Sequence, residues 1–277
     1  MNIISFSLFG TSKRYWQNIP YWMASNSLLL NYDLYFYVHK PLEDFVGFKL
    51  MKNVAENHPN IHIELMDEES INTRGAIWRM QPLWFPNSEY LFCRDLDAIM
   101  TSDEVRAMLK FKETDLIIHG IRAHPAHDIP LLAGLCGFNC HAMRSNMQNE
   151  TYNTYLNRIT DPSYGWGFEQ AVLTRFFFTE GKEYLSHHTL DTPLRGATPL
   201  YNGSVTFTPD VYNRVDISNC DKDILNFGDT LVNFEGQAYC LLSEQISWIL
   251  NNKNSSIIET INKFISKDSE TKEYYNL

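Results

Sequence analysis

The feature that most constrains this chain is a short apolar run that ends abruptly in charge, Glu89-Tyr-Leu-Phe-Cys-Arg-Asp-Leu-Asp-Ala-Ile-Met-Thr101. Tyr90-Leu91-Phe92-Cys93 has the composition of a strand buried on both faces of a mainly parallel sheet. The run stops at Arg94-Asp95-Leu96-Asp97, and a second apolar pair, Ile99-Met100, follows. Open α/β sheets hold their ligands outside the carboxyl ends of such strands. Asp95 and Asp97 are two apart, so in extended backbone both carboxylates point to one side. Convergent carboxylates in a partly dry crevice repel one another unless a cation lies between them. A divalent metal that also meets phosphate oxygens is the common solution. The plain alternative is a turn after a strand, because Asp-x-Asp by itself is unspecific.

The segments around this run alternate between strand and helix. Residues 2–9 are apolar and β-prone and end at Gly10-Thr-Ser-Lys13, a first strand closed by a small-residue turn. No Gly-x-Gly-x-x-Gly and no P-loop Lys-Ser/Thr follow, which argues against a dinucleotide-binding dehydrogenase and a P-loop NTPase. Residues 15–31 have helical spacing, Asp33-Leu-Tyr-Phe-Tyr-Val-His39 reads as a second strand, residues 44–57 as a helix, and Ile61-His-Ile-Glu-Leu-Met66 as a third strand. This β-α-β-α-β succession predicts an α/β, Rossmann-like sheet, mainly parallel and flanked by helices.

Arg74-Gly-Ala-Ile-Trp-Arg-Met-Gln-Pro-Leu-Trp84 carries Arg74 and Arg79 on a helix-compatible stretch. Either this is an amphipathic helix with solvated arginines, or one or both face a diphosphate near the Asp-x-Asp strand. Asp115-Leu-Ile-Ile-His-Gly-Ile121 is a further strand, followed by Arg122-Ala-His-Pro-Ala-His127-Asp128. His124, His127 and Asp128 are possible metal ligands, although a polar loop more often lines a pocket. Leu131-Leu-Ala-Gly-Leu-Cys-Gly-Phe138 is apolar and punctuated by Gly134 and Gly137. Glycines there imply backbone lying close to another segment or to a ligand. Glu169 and Gln170 open a helix, and Tyr184-Leu-Ser-His-His-Thr-Leu-Asp191 places His187, His188 and Asp191 after a short apolar piece. Residues 241–264 have helical apolar spacing, and residues 267–277 read as a polar, frayed end. The whole reads as one domain over residues 1–277, with residues from about 223 onward as a C-terminal helical extension.

Composition narrows the partners. The hydrophobic share of 44% and charged share of 20% allow a sizeable core. A net charge of -10 argues against a nucleic-acid backbone. Cys93, Cys136, Cys140, Cys220 and Cys240 lack zinc-site spacing and read as reduced, mostly buried thiols of a cytoplasmic protein. No apolar run is long enough to span a membrane, and no signal peptide opens the chain.

Taken in order, these segments resemble the GT-A-type nucleotide-sugar glycosyltransferases, and in particular a group of bacterial and viral sugar transferases. The resemblance runs over residues 74–176. It lies in Arg-Gly-x-x-Trp-Arg (Arg74 to Arg79), Arg-Asp-x-Asp (Arg94 to Asp97), Arg-x-His-Pro-x-His (Arg122 to His127), Gly134 to Gly137, and Glu169-Gln170. The resemblance implies a nucleoside-diphosphate sugar donor, UDP-linked, bound with Mn²⁺ or Mg²⁺, and a glycan or other hydroxyl acceptor. It implies that Asp97 ligates the metal and that Asp95 meets the metal or the donor's ribose and sugar. It gives the third ligand to His187 or His188 and the acceptor-side base to Glu169. Ala123 stands where an acid commonly follows the Arg, and Cys136 where a larger residue is usual. The residue chemistry agrees with sugar transfer. A leaving diphosphate needs neutralising, by a metal and by arginines such as Arg74, Arg79 and Arg94, with Gly134 allowing close approach. The acceptor hydroxyl needs a carboxylate, Glu169 or Asp191, to take its proton. A metal-dependent nucleotidyltransferase and a non-catalytic nucleotide-sugar-binding fold use the same residues and are the alternatives.

Overall fold

A computed structural model describes residues 1–16, 18–24, 32–67, 73–96, 98–99, 102–122, 131–147, 150–159, 169, 173, 183–188, 204–209, 215–216 and 254–275. The chain divides into two compact units: residues 1–7, 68–95 and 103–213 form the first, and residues 8–67, 96–102 and 214–277 the second.

The first unit is built on six strands: β1 (Asn2–Leu8, whose last residue belongs to the other unit), β4 (Tyr90–Arg94), β6 (Ile118–Arg122), β7 (Leu135–Asn139), β8 (Glu183–His188) and β9 (Ser204–Pro209). Their order is β1-β4-β7-β6-β8-β9. β1·β4, β6·β8 and β8·β9 pair in parallel, whereas β4·β7 and β6·β7 are antiparallel. The sheet is therefore mixed, which corrects the expectation of a mainly parallel one. β7 follows β6 after residues 123–134 and returns beside it, a connection that needs no crossover helix. The register aligns Ser5, Cys93, Cys136, Gly120, Ser186 and Phe207 in one row across all six strands. Five strands run one way, so their carboxyl ends share one edge with the amino end of β7.

Leu91, Phe92 and Cys93 of β4 are buried, as its apolar run predicts, and Arg94 is buried with them. On one face, Phe92 meets Phe111 of helix α4 (Ser102–Lys112) edge-on at 6.2 Å, and His119 stacks on the same Phe111 at 5.0 Å. Gly137 is glycine because a Cβ there would run into the Phe92 ring. The backbone approach read from the sequence is thus to another segment of the chain. The unit also holds the 3₁₀ helix Thr73–Trp84, α5 (Cys140–Asn146) and α6 (Tyr152–Ile159).

In the second unit β2 (Tyr32–His39) and β3 (Ile61–Met66) pair in parallel, from Leu34↔Ile61 to His39↔Met66. The amphipathic α3 (Val46–Asn57) joins them and buries Val46, Phe48, Leu50, Met51 and Val54. The segment read as one helix over residues 15–31 contains two short ones, α1 (Lys13–Trp16) and α2 (Ile19–Ala24). Ala98–Ile99 forms β5, paired antiparallel with β10 (Val215–Asp216). Residues 223–253, the first part of the expected C-terminal helical extension, lie outside the described residues.

The C-terminal residues correct the expectation of fraying. α7 (Ser255–Ile265) starts at Asn254, whose side chain accepts from the Ser256 and Ile257 amides, and it buries Ile257, Ile261 and Ile265 at every fourth position. α8 (Ser269–Tyr275) buries Thr271 and Tyr275, and the Tyr275 hydroxyl donates to the Trp16 carbonyl at 3.3 Å. Both helices pack on α3, assisted by a Lys49–Glu270 ion pair at 2.9 Å and a His58–Thr260 hydrogen bond at 3.1 Å. Polar residues at the very end hid an anchoring tyrosine.

Burial holds the His58 imidazole below its ordinary pKa. The neutral ring is the form that suits the fold, so its stabilisation is complete above the unfolded value near 6.5 and is lost as pH falls below it. Urea unfolding of wild type and His58→Gln at pH 7.5 and 5.5 should show a larger acid loss in wild type. An equal loss in both would exclude His58 as a source of the pH dependence.

Candidate functional site

The carboxyl end of β4 gathers three of the residues marked in the sequence. Asp95 follows the strand directly, on the same side as Cys93 and opposite to Arg94. Arg79 reaches it from the 3₁₀ helix, with Nη1 donating to Asp95 Oδ1 at 2.6 Å. The same Nη1 donates to the Arg94 carbonyl at 2.9 Å and lies 3.4 Å from the Ala133 carbonyl, while Nε donates to Ala76 O at 2.9 Å. One guanidinium therefore ties its own helix to the end of β4 and the approach to β7. Its side chain is 8% exposed and that of Asp95 is 32% exposed, so the pair has a dry side and a wet side. Burial works against the Arg79 charge, but Asp95 outweighs it and leaves the guanidinium above its ordinary pKa.

Gly134 completes this corner. A Cβ at Gly134 would collide with the Asp95 carboxylate, so only glycine lets the chain before β7 pass so close. Leu96, between the two aspartates, is buried, and its carbonyl accepts from Asn18 Nδ2 at 2.5 Å.

The 3₁₀ helix is set by contacts that sequence reading missed. The Arg79 amide donates to Ser7 Oγ at 3.0 Å, and Ser7 Oγ donates to the Ala76 carbonyl at 3.4 Å. Pro82 inside the helix supplies no amide proton. At the far end Arg144 donates to the carbonyls of Leu83, Phe85, Pro86 and Ser88 and to Ser88 Oγ, at 2.8–3.4 Å. Nothing local in the sequence marks Ser7 or Arg144, because their partners lie about 60 to 70 positions away.

The other marked residues are more scattered. Arg74 lies in the same 3₁₀ helix, five positions before Arg79; at three residues per turn, about 120° each, the two start from different rows. Arg94 is buried in the core, its Nη1 donating to the Cys93 and Cys136 carbonyls at 2.8 and 3.3 Å and its cation 5.9 Å from the Phe92 ring centre. It is not brought to Asp95. Glu169 is helical and partly exposed. His187 and His188 end β8, in register with Ile121 and Arg122. Asp97, His124, His127, Asp128, Gln170 and Asp191 lie outside the described residues.

Cys93 and Cys136 face each other across β4 and β7 and are buried, as is Cys140. Burial, with the Cys136 thiol beside it, raises the Cys93 thiol well above its ordinary pKa, and burial pushes Cys140 up to about 12. These are protonated core thiols, as the sequence suggests; Cys220 and Cys240 lie outside the described residues.

The Asp95 carboxylate is a hard oxygen donor with an open side, which suits Mn²⁺ or Mg²⁺. Arg79 already balances its charge, so a metal there needs a second carboxylate, the position that Asp97 occupies in the chain. Among the described residues no three His, Cys, Asp or Glu side chains cluster as a ligand set. No helix among them is long and apolar enough to cross a membrane. No protein-family model matches the chain, and no curated protein matches it significantly.

Three substitutions probe this corner. Gly134→Ala should cost roughly 1–3 kcal/mol through the overpacked Asp95 contact, read by urea unfolding. Asp95→Asn and Arg79→Met should each destabilise, and their double mutant should lose roughly 1–3 kcal/mol less than the sum. Strict additivity would mean that the pair is not coupled.

Proposed function

We propose that the chain is a metal-dependent glycosyltransferase of the GT-A type, moving a sugar from a UDP-linked nucleoside-diphosphate sugar to a glycan or other hydroxyl acceptor. The observation that carries this reading is the Arg79–Asp95 pair, half dry and half open, at the carboxyl edge of the six-stranded sheet. Ligands of α/β sheets collect at that edge. The ordered motifs from Arg74 to Gln170 supply the chemical class.

In this reading the Arg79 guanidinium, charged at any working pH, stands beside the donor with Asp95 as its counter-ion. Asp95 and Asp97 hold Mn²⁺ or Mg²⁺, with His187 or His188 as the further ligand that the resemblance implies. The bound metal would neutralise charge on the leaving diphosphate. Arg74 adds charge from the same helix, and Gly134 lets the Asp95 carboxylate lie against the backbone before β7. Glu169 or Asp191 accepts the proton of the acceptor hydroxyl. Arg94, sealed in the core, supports the strand rather than touching the donor.

A ligand that binds only the folded state raises the melting temperature by mass action. UDP-sugars with Mn²⁺ should raise it by several degrees, GDP- and CMP-sugars should not, and Asp97→Ala should abolish the shift. No shift with any nucleotide in the presence of metal would sink the transferase reading.

A further inference from the structure

We propose that Ser7 is a positioning residue for the donor: its hydroxyl sets the place from which Arg79 reaches Asp95. The proposal rests on the transferase reading and adds to it a residue that stands behind the arginine and does not touch the donor.

The hydrogen bonds carry it. β1 holds Ser5 and Ser7 two apart, so both point to one side of the sheet. Ser5 pairs with Cys93, which puts Ser7 level with Asp95 and on the same side. The 3₁₀ helix faces that side, where the Cys93 thiol donates to the Arg79 carbonyl at 3.7 Å. A 3₁₀ turn joins the amide of one residue to the carbonyl three before it, here Arg79 and Ala76. The Ser7 hydroxyl bridges this same pair. It accepts from the Arg79 amide at 3.0 Å and donates to the Ala76 carbonyl at 3.4 Å. Ala76 and Arg79 are both buried, so water does not easily replace the hydroxyl.

The guanidinium turns on the same carbonyl. Arg79 Nε donates to Ala76 O at 2.9 Å, and Nη1, fixed to Nε in one plane, meets Asp95 Oδ1 at 2.6 Å. Ala76 O thus receives both the serine and the arginine, one for each lone pair of a carbonyl. Any movement of the Ala76–Arg79 turn passes through that rigid plane to the charge at the strand end. The hydroxyl holds the turn, and through it the charge.

Isothermal titration of the full chain with UDP plus Mn²⁺, and urea unfolding of the same variants, test this. Ser7→Ala should weaken UDP about tenfold, and Ser7→Thr, which keeps the hydroxyl, by no more than about threefold. The coupling between Arg79→Met and Asp95→Asn, expressed as a ratio of unfolding constants, should fall about fivefold in the Ser7→Ala background and survive in Ser7→Thr. With titrations run well below the melting temperature of the least stable variant, lost stability alone moves neither readout. In a wild type that binds UDP, undiminished affinity in Ser7→Ala would make Ser7 a structural residue and overturn the proposal. A coupling indifferent to Ser7 would overturn it whether or not UDP binds. A coupling that needs Ser7, in a protein that binds no UDP, would sink the transferase reading and leave Ser7 as the residue that places Arg79.

Discussion

One buried guanidinium holds the candidate site together. Arg79 spends its hydrogen bonds on the Ala76, Arg94 and Ala133 carbonyls and on the Asp95 carboxylate, so it fastens the 3₁₀ helix to two strand ends. A buried charge is tolerated only when it is paired and hydrogen-bonded, and here one partner does both. The consequence runs in both directions. Asp95 neutralises the Arg79 charge inside the core, and Arg79 fixes the carboxylate of an aspartate that follows the end of a strand. Gly134 then closes the corner by allowing backbone where any side chain would stand.

How much of this was legible in the sequence depends on how local the cause is. β4 was legible because four apolar residues ending in charge already describe a buried strand end. β2, β3 and α3 were legible from alternation and helical spacing, within a residue or two. The Asp95–Gly134 approach was legible only as a glycine in need of a neighbour. The direction of β7 was not, because an apolar run carries no sign for parallel or antiparallel pairing. The burial of Arg94 is not legible either, for a related reason. Alternation puts it on the face opposite Asp95, and only packing reveals that this face is sealed by Phe92 and α4. Ser7 and Arg144 left no local trace at all.

The second unit shows the same rule from the other side. Lys267 to Tyr275 is polar enough to look like a tail, yet a single hydroxyl bonded to the Trp16 carbonyl and the burial of the Tyr275 ring make it a docked helix. Composition averages over a segment, whereas docking needs only one well-placed aromatic. The pair of glycines in the first unit works likewise, each defined by one ring or carboxylate across the sheet.

The antiparallel β7 also has a consequence for how the protein is made. Because β7 separates β4 from β6, the level that holds Asp95, Arg122 and His188 is filled by residues up to 93 positions apart (188 minus 95). Contacts of such long sequence separation form late and slowly. At about 5–20 residues per second, roughly 5–20 s of synthesis pass between the emergence of β4 and that of β8. For the last part of that interval, roughly 3–13 s, β6 has emerged with its outer edge unpaired and open to mispairing.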